Sequence, residues 1–305
     1  MYNFAITGVA GYIAPKHLQA IKETGNNLVA ALDPHDSVGI LDQYFPDASF
    51  FVEFERFERH LDLLRRKSDS ERVHYLSICS PNFLHDSHIR LALRIGANAI
   101  CEKPIVLNPW NLDALEKIEN ETGRKVFTVL QLRLHPSILE LKNKVENEIR
   151  KNPAFKFNIT LDYITSRGLW YDFSWKGVLE KSGGLATNIG IHFFDMLIWI
   201  FGEPLHSSVI QNQKRSMRGE LELKNANVKW HLSINYEDLP EIAKRNNKRT
   251  FRSIKINDEE FEFTEGFTNL HTLVYKNTLD GKGFSINDAR PSIELVYKIR
   301  NNINF

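Results

Sequence analysis

The sequence predicts an α/β domain built on a doubly wound parallel sheet, followed by an α+β domain with an open, largely antiparallel sheet. Short apolar runs alternate with helical patterns as far as Leu130, the pattern of βα crossovers and hence of parallel strands. From Phe155 onward strict period-two alternation takes over, with asparagine turns between the runs, as in half-covered antiparallel sheets. A length of 305 residues with 42% hydrophobic side chains supports two substantial cores, and the change of pattern places them at 1–131 and 132–305.

The first domain begins with a strand, Phe4 to Thr7, a turn Gly8-Val9-Ala10-Gly11-Tyr12-Ile13 and a helix from about Pro15 to Thr24. Glycines there let the backbone approach a pyrophosphate while the helix N-terminus supplies donors, so this is a Rossmann-type dinucleotide turn, matched only in part by GxxG. A second strand, Leu28 to Leu32, ends in Asp33. A carboxylate at that place accepts from ribose hydroxyls and repels a 2′-phosphate, which favours NAD over NADP; a plain turn residue before Pro34 is the structural alternative. Further strands at Val73–Cys79, Ala99–Cys101 and Lys125–Leu130 alternate with helices at Phe54–Lys67, Asn82–Ile95 and Asn111–Glu121.

Ligands of such sheets bind beyond the carboxyl ends of the strands, where two polar clusters fall: Ser80-Pro81-Asn82 with His85, and Glu102-Lys103-Pro104. Ser80 or Asn82 as a helix cap with an exposed His85, and contact with the cofactor, are compatible readings of the first. In the second, Lys103 is held near the crevice, where partial burial lowers its pKa toward usefulness as a base.

In the second domain a helix, Pro136 to Arg150, precedes an alternating strand that points Phe155, Phe157, Ile159, Leu161 and Tyr163 to one face. Val228 to Ile234 alternates likewise, with shorter strands near Val209, Leu221, Phe251 and Phe261, and Ser285 to Asn302 closes the chain as a helix. The basic run Lys244 to Arg249 reads as a solvated hairpin tip or as a contact for an anion. The domain is organised around the stretch from Ser182 to Gly202, SGGLATNIGIHFFDMLIWIFG, a helix apolar nearly all round. Asn188, His192 and Asp195 interrupt it at i, i+4 and i+7, a spacing that stacks them on one face. Three buried polar groups in a stripe line a cavity or bond one another, and Gly183-Gly184 opens the helix N-terminus to an anion.

Composition narrows the function. A formal charge of +1 and a sequence pI near 7.8 provide no general basic field for nucleic acid or an anionic membrane. The longest wholly apolar run of the core helix, Met196 to Phe201, is far short of the ~18 residues of a membrane span. The N-terminus lacks the regions of a secretory signal, so a cytoplasmic location is expected. Cys79 and Cys101 are expected as reduced core thiols, and no metal site is expected.

Taken in order, the glycine turn, Ser80-Pro81-Asn82 with His85, Glu102-Lys103-Pro104 and Gly183-Gly184-Leu185 with Asn188, Gly190 and His192 resemble the Gfo/Idh/MocA family of NAD(P)-dependent sugar oxidoreductases, over essentially the whole chain. The resemblance implies that the open sheet builds a homo-oligomer, a dimer or tetramer. It implies contacts to NAD from Gly8, Gly11, Tyr12, Ile13, Asp33, Ser80, Asn82, His85, Glu102, Lys103, Gln131 and Trp175. Lys103 and His192 fall on the family's lysine and catalytic histidine, and Asn188 stands where an aspartate is usual. An amide cannot act as a carboxylate, so His192 needs another group to orient it, and Asp195 is nearest in sequence. For substrate, the resemblance points to Lys103, Arg133, Arg167, Tyr171, Lys176, Asn188, His192 and His271.

Ser166 to Tyr171, Ser174 to Gly177, NIGIHFFD and Gly266 to Thr272 are similar to one branch of that family. Its members oxidise the 3-hydroxyl of UDP-N-acetylglucosaminuronic acid (UDP-N-acetyl-2-amino-2-deoxy-D-glucuronate) with NAD. The branch serves bacterial surface-polysaccharide (lipopolysaccharide O-antigen) biosynthesis, and 2-oxoglutarate can recycle its bound NADH. That activity is the expectation. Its alternatives are another NAD-dependent sugar or polyol dehydrogenase, an NAD-dependent glycosidase, or a redox-sensing NAD-binding protein without turnover.

Overall fold

Six apolar segments form one wholly parallel sheet in the computed structural model, which describes residues 1–261, 269–303 and 305. They are β1 (Asn3–Thr7), β2 (Asn27–Leu32), β3 (Ser49–Phe51), β4 (Tyr75–Ile78), β5 (Asn98–Cys101) and β6 (Val126–Thr128), in the order β3-β2-β1-β4-β5-β6. Every residue of β4 is buried, as a strand covered on both faces requires. Helices Ala14–Glu23, Phe54–Lys67, His85–Arg94 and Pro109–Thr122 make the crossovers. Pro109 opens the last of these and Gly123, at φ 67°, ends it in the left-handed conformation that glycine adopts without cost. The strand order reverses between β1 and β4, and the crevice of such a sheet lies beyond the carboxyl ends at that reversal.

β3 and the short helix Ile40–Tyr44 before it carry no alternation of their own and were not predicted; pairing of β3 with β2 organises them. A larger difference concerns the C-terminal region. Residues 1–131 and the described residues 269–290 form one compact unit, whereas 132–305 was expected as a single domain. Within this unit helix Leu270–Leu279 packs on helix Ala14–Glu23, and the buried Tyr275 stacks on Phe4 with ring centroids 5.8 Å apart. Cys79 and Cys101 are free and buried here, and burial pushes both thiols up, as expected of core residues.

The second unit contains a mixed sheet of β7 (Phe157–Thr165), β8 (Pro204–Gln213), β9 (Ser216–Leu223), β10 (Ala226–Ser233), β11 (Thr250–Ile256) and β12 (Glu259–Glu260). The order is β12-β11-β7-β10-β9-β8, antiparallel except for the parallel central pair of β7 and β10. Asn257 and Asp258 have φ of 50° and 68°, as a type I′ hairpin turn needs. The first two residues of the basic run, Lys244 and Arg245, end a short helix, Glu241–Arg245, where Lys244 pairs with Glu241, and the rest leads into β11.

The core helix lies across this sheet, with Phe201 on Phe157 at 5.4 Å and Phe194 on Trp230 at 5.5 Å between ring centroids. Its first turns, Ala186–Gly190, are wound as a π-helix before the α-helix Ile191–Phe201. The helical stretch Leu179–Phe201, of mean hydropathy 1.4, is long and apolar enough to cross a membrane by length and composition, but 78% of that window is buried inside the protein. Sequence reading stopped at the polar interruptions, which averaging over the window conceals.

Gly190 is where helix meets sheet. A Cβ there would lie 2.6 Å from Leu232 Cδ1 and 2.8 Å from Phe194 Cε2. Gly190→Ala should therefore destabilise the protein by about 1–3 kcal/mol through overpacking, read as a lower midpoint in urea with the slope unchanged.

Candidate active site

The first half of the site is a cradle. Gly8 has φ 79°, and a Cβ on it would sit 2.6 Å from the carbonyl of Cys79 and the nitrogen of Ser80, so no other residue fits between β1 and β4. The Gly8 amide donates to Leu32 O at 2.8 Å and Gly11 N to Gly8 O at 3.0 Å, which curls the loop into the helix beginning at Ala14. Ile13 is the N-cap of that helix and Tyr12 is 97% exposed. Asp33, buried after β2, is a turn residue before Pro34: its Oδ1 accepts from His35 N at 2.9 Å, and its Oδ2 accepts from Ala10 N at 3.0 Å, bracing the glycine loop. A carboxylate has about four acceptor sites, so two remain for ribose hydroxyls. Gln131 follows β6, and its buried Oε1 has no hydrogen-bond partner among the described residues. Glycine loop, acidic residue and orphaned acceptor all fit a dinucleotide.

The two polar clusters close the carboxyl ends of β4 and β5. His85 is buried, which corrects the expectation of an exposed histidine after a helix cap: its Nε2 lies 2.8 Å from Ser80 O and its Nδ1 2.7 Å from Pro104 O. The ring thus ties one loop to the other. Burial lowers its pKa, against the pull of the two carbonyls. Ser80 makes no cap either; its Oγ is 2.9 Å from His88 Nδ1, and the short 3-10 turn Asn82–Leu84 starts at Pro81 without a side-chain cap. Glu102, expected to meet the cofactor, is buried with Oε1 accepting from His17 Nε2 at 3.0 Å and His271 Nε2 at 2.9 Å. His271, expected at the substrate, is therefore placed against the residue preceding Lys103, a link that no sequence spacing signals. The segment 266–268 of its motif lies outside the described residues.

In the second unit Asn188 and His192 are half-buried on the core helix, and Asn188 Nδ2 donates to the buried Tyr171 Oη at 2.9 Å. Asp195 lies further along the same helix. Its Oδ2 accepts from Arg133 Nε at 2.9 Å and its Oδ1 from Arg133 Nη2 at 2.8 Å, a buried bidentate pair. Arg133 thus meets a carboxylate of the protein, where a substrate anion was expected. Lys176 lies over the rings of Trp170 and Trp175, at 5.3 Å and 5.6 Å from their centroids, and burial followed by the nearby Arg167 lowers its pKa. A cavity of about 250 Å³ is lined by Tyr171, Lys176, Gly184, Lys214 and Arg300; it shares Tyr171 with the Asn188 hydrogen bond, while His192 is not in its wall.

A glycine cradle on a 3-2-1-4-5-6 sheet, with an acid after the second strand and a lysine after the fifth, defines a dinucleotide-dependent oxidoreductase. The chain belongs to the GFO_IDH_MocA oxidoreductase family: residues 2–130 match its NAD-binding Rossmann fold and residues 155–239 its C-terminal alpha/beta domain. It is similar to the WlbA (WbpB) dehydrogenase of Thermus thermophilus, solved in complex with NAD and alpha-ketoglutarate, at 52% identity and TM-score 0.94 over 98% of this chain and 95% of that one. The same enzyme in complex with NAD and UDP-GlcNAcA matches with TM-score 0.93 at 51% identity, again over 98% and 95%. A 2,7-anhydro-N-acetylneuraminate hydratase of Mediterraneibacter gnavus is 26% identical over 66% of this chain and 49% of its own length. The chain spans about half the length of such curated relatives.

Two predictions follow from this geometry. NAD should bind at least about tenfold more tightly than NADP, a difference of about 1.4 kcal/mol, and Asp33→Ala should narrow the ratio while also weakening NAD through the loosened loop. Equal Kd values for the two cofactors on the unaltered protein would remove Asp33 from the ribose. On acidification, His88 has a pKa lowered to about 3 by burial, with His85 adding to it. The unfolded chain binds this proton below pH 6.5 and the folded one does not, so stability should fall between pH 6.5 and 3, by up to about 1.4 kcal/mol per pH unit from His88 alone, measurable in urea titrations with His88→Asn as control.

Proposed function

We propose that the protein oxidises the 3-hydroxyl of UDP-N-acetylglucosaminuronic acid to the 3-keto sugar with NAD, in the synthesis of bacterial surface polysaccharide such as lipopolysaccharide O-antigen. The observation that carries this is the likeness to the Thermus dehydrogenase held with NAD and UDP-GlcNAcA over nearly the full length of both chains. Cofactor and substrate class support a cytoplasmic reaction.

Bound NAD supplies the hydride acceptor. His192 takes the hydroxyl proton on a ring nitrogen as the C–H hydride leaves, and Lys103 donates to the same oxygen and polarises it. Asn188, a donor to Tyr171, cannot charge-stabilise an imidazolium as an aspartate would; it holds the tyrosine hydroxyl beside His192's helix instead. Lys176 and Arg167, two cations close enough to lower the first one's pKa, suit the uronate and diphosphate. 2-Oxoglutarate, bound by the Thermus enzyme, is the proposed second substrate: its ketone takes the hydride back, and a proton returns from His192 to give 2-hydroxyglutarate. Exposed apolar side chains of the second unit, Phe173 at 88%, Leu169 at 74% and Ile210 at 69%, support a homo-oligomer, a dimer or tetramer.

Lys103→Met and His192→Asn should each lower kcat by roughly 10²–10⁴ while NAD still binds; full activity of His192→Asn would make the histidine structural. Protein incubated with the sugar should yield about one equivalent of ketone per site, and 2-oxoglutarate should restart turnover with formation of 2-hydroxyglutarate, followed by mass spectrometry. Sustained turnover on added NAD without 2-hydroxyglutarate would discard the recycling step and keep the dehydrogenase.

A further inference from the structure

The first unit holds a row of buried polar groups that the proposed hydride transfer does not use. Ser77 Oγ lies 2.6 Å from Tyr275 Oη, and Tyr275 Oη lies 2.7 Å from His17 Nδ1. His17 Nε2 is 3.0 Å from Glu102 Oε1, which also meets His271 Nε2 at 2.9 Å. The second carboxylate oxygen, Oε2, accepts from the backbone N–H of Lys103 at 3.3 Å.

The directions in this row close without an extra proton. Ser77 donates to Tyr275, Tyr275 donates to Nδ1 of a neutral His17, and Nε2–H of His17 donates to Glu102. Burial lowers the His17 pKa, in keeping with the neutral ring. Burial raises that of Glu102, but the hydrogen bonds from His17 and His271 overcome it and hold the carboxyl well below the usual range. Two histidines and a glutamate with ligand atoms within 4.8 Å of one another also have the composition of a metal site. The spacings, however, are those of N–H···O bonds, and the row supplies a hydrogen for each, so hydrogen bonding alone accounts for the cluster.

We propose that Glu102 is the positioning residue for Lys103: its carboxylate, oriented by His17 and His271, fixes the backbone of the lysine and keeps the ammonium charged, so that it donates to the substrate oxygen. The inference rests on the reading of Lys103 given above. Titratable groups facing Glu102 are His17, His271, Tyr275, Cys79, Cys101 and His85 besides Lys103.

The test compares Glu102→Gln, Tyr275→Phe and Lys103→Met in steady-state turnover of UDP-N-acetylglucosaminuronic acid. Glu102→Gln keeps the shape and removes the charge. It should lower kcat about 10- to 100-fold with KM and the NAD Kd within about threefold, because a displaced donor costs the transition state more than the bound state. It should also move the alkaline limit of kcat/KM to lower pH, since loss of a neighbouring anion lowers the lysine pKa. Tyr275→Phe leaves the charge and breaks the row; kcat should fall about three- to tenfold with the alkaline limit in place. A merely structural cluster would lower Tm in both variants and leave the pH limit unmoved, which overturns the proposal, as does wild-type kcat in Glu102→Gln. Should Glu102→Gln not fold, wild-type kcat in Tyr275→Phe overturns it and the stated loss supports it. Inactive Lys103→Met beside unaffected Glu102→Gln removes the positioning role alone; active Lys103→Met removes the reading of Lys103 and this inference together.

Discussion

An ionised carboxylate taken out of water costs several kcal/mol unless donors replace the lost hydration, and Glu102 collects its donors from parts of the chain far apart in sequence. His17 comes from the first helix, His271 from a segment more than 160 residues later, and the Lys103 amide from the carboxylate's own strand end. That demand explains the return of 269–290 to the nucleotide-binding unit: helix Leu270–Leu279 delivers both His271 and Tyr275 to one side of the sheet. Lys103 is thereby attached to a strand end that three elements hold in place.

The close approach at Gly8 is the second constraint on the same crevice. Because β1 and β4 leave no room for a Cβ there, the loop must turn tightly into the helix, and Asp33 then reaches back to the Ala10 amide. Asp33 is accordingly a structural residue whose carboxylate keeps acceptor sites to spare. The two readings were separable only on paper, since one carboxylate has acceptor sites enough for both.

Local signals made the first unit legible. Glycine turns, capping prolines and buried strands declare themselves within a few residues, so β1, β2, β4, β5 and β6 and their helices lie where alternation placed them, and the polar clusters lie at strand ends. What escaped was non-local. β3 exists because β2 offers an edge, His85 is buried between the carbonyls of two loops, and helix Leu270–Leu279 joins the first unit because Glu102 needs His271. The partners that fix these placements lie too far away in sequence for a local pattern to show them.

In the second unit the core helix is irregular where the motif lies. Spacing of i, i+4 and i+7 puts Asn188, His192 and Asp195 in one stripe only on an ideal α-helix, and the π turn Ala186–Gly190 breaks that premise where the motif lies. Gly190 permits the wide turn to settle on Leu232, and the polar side chains take separate partners: Asn188 finds Tyr171, and Asp195 forms a fork with Arg133. An aspartate in place of Asn188 could not donate to the Tyr171 oxygen as the amide does; it would instead accept from the hydroxyl and bring a charge beside it. With an amide here, the tyrosine proton stays available to a ligand, and no carboxylate charge stands beside the hydroxyl.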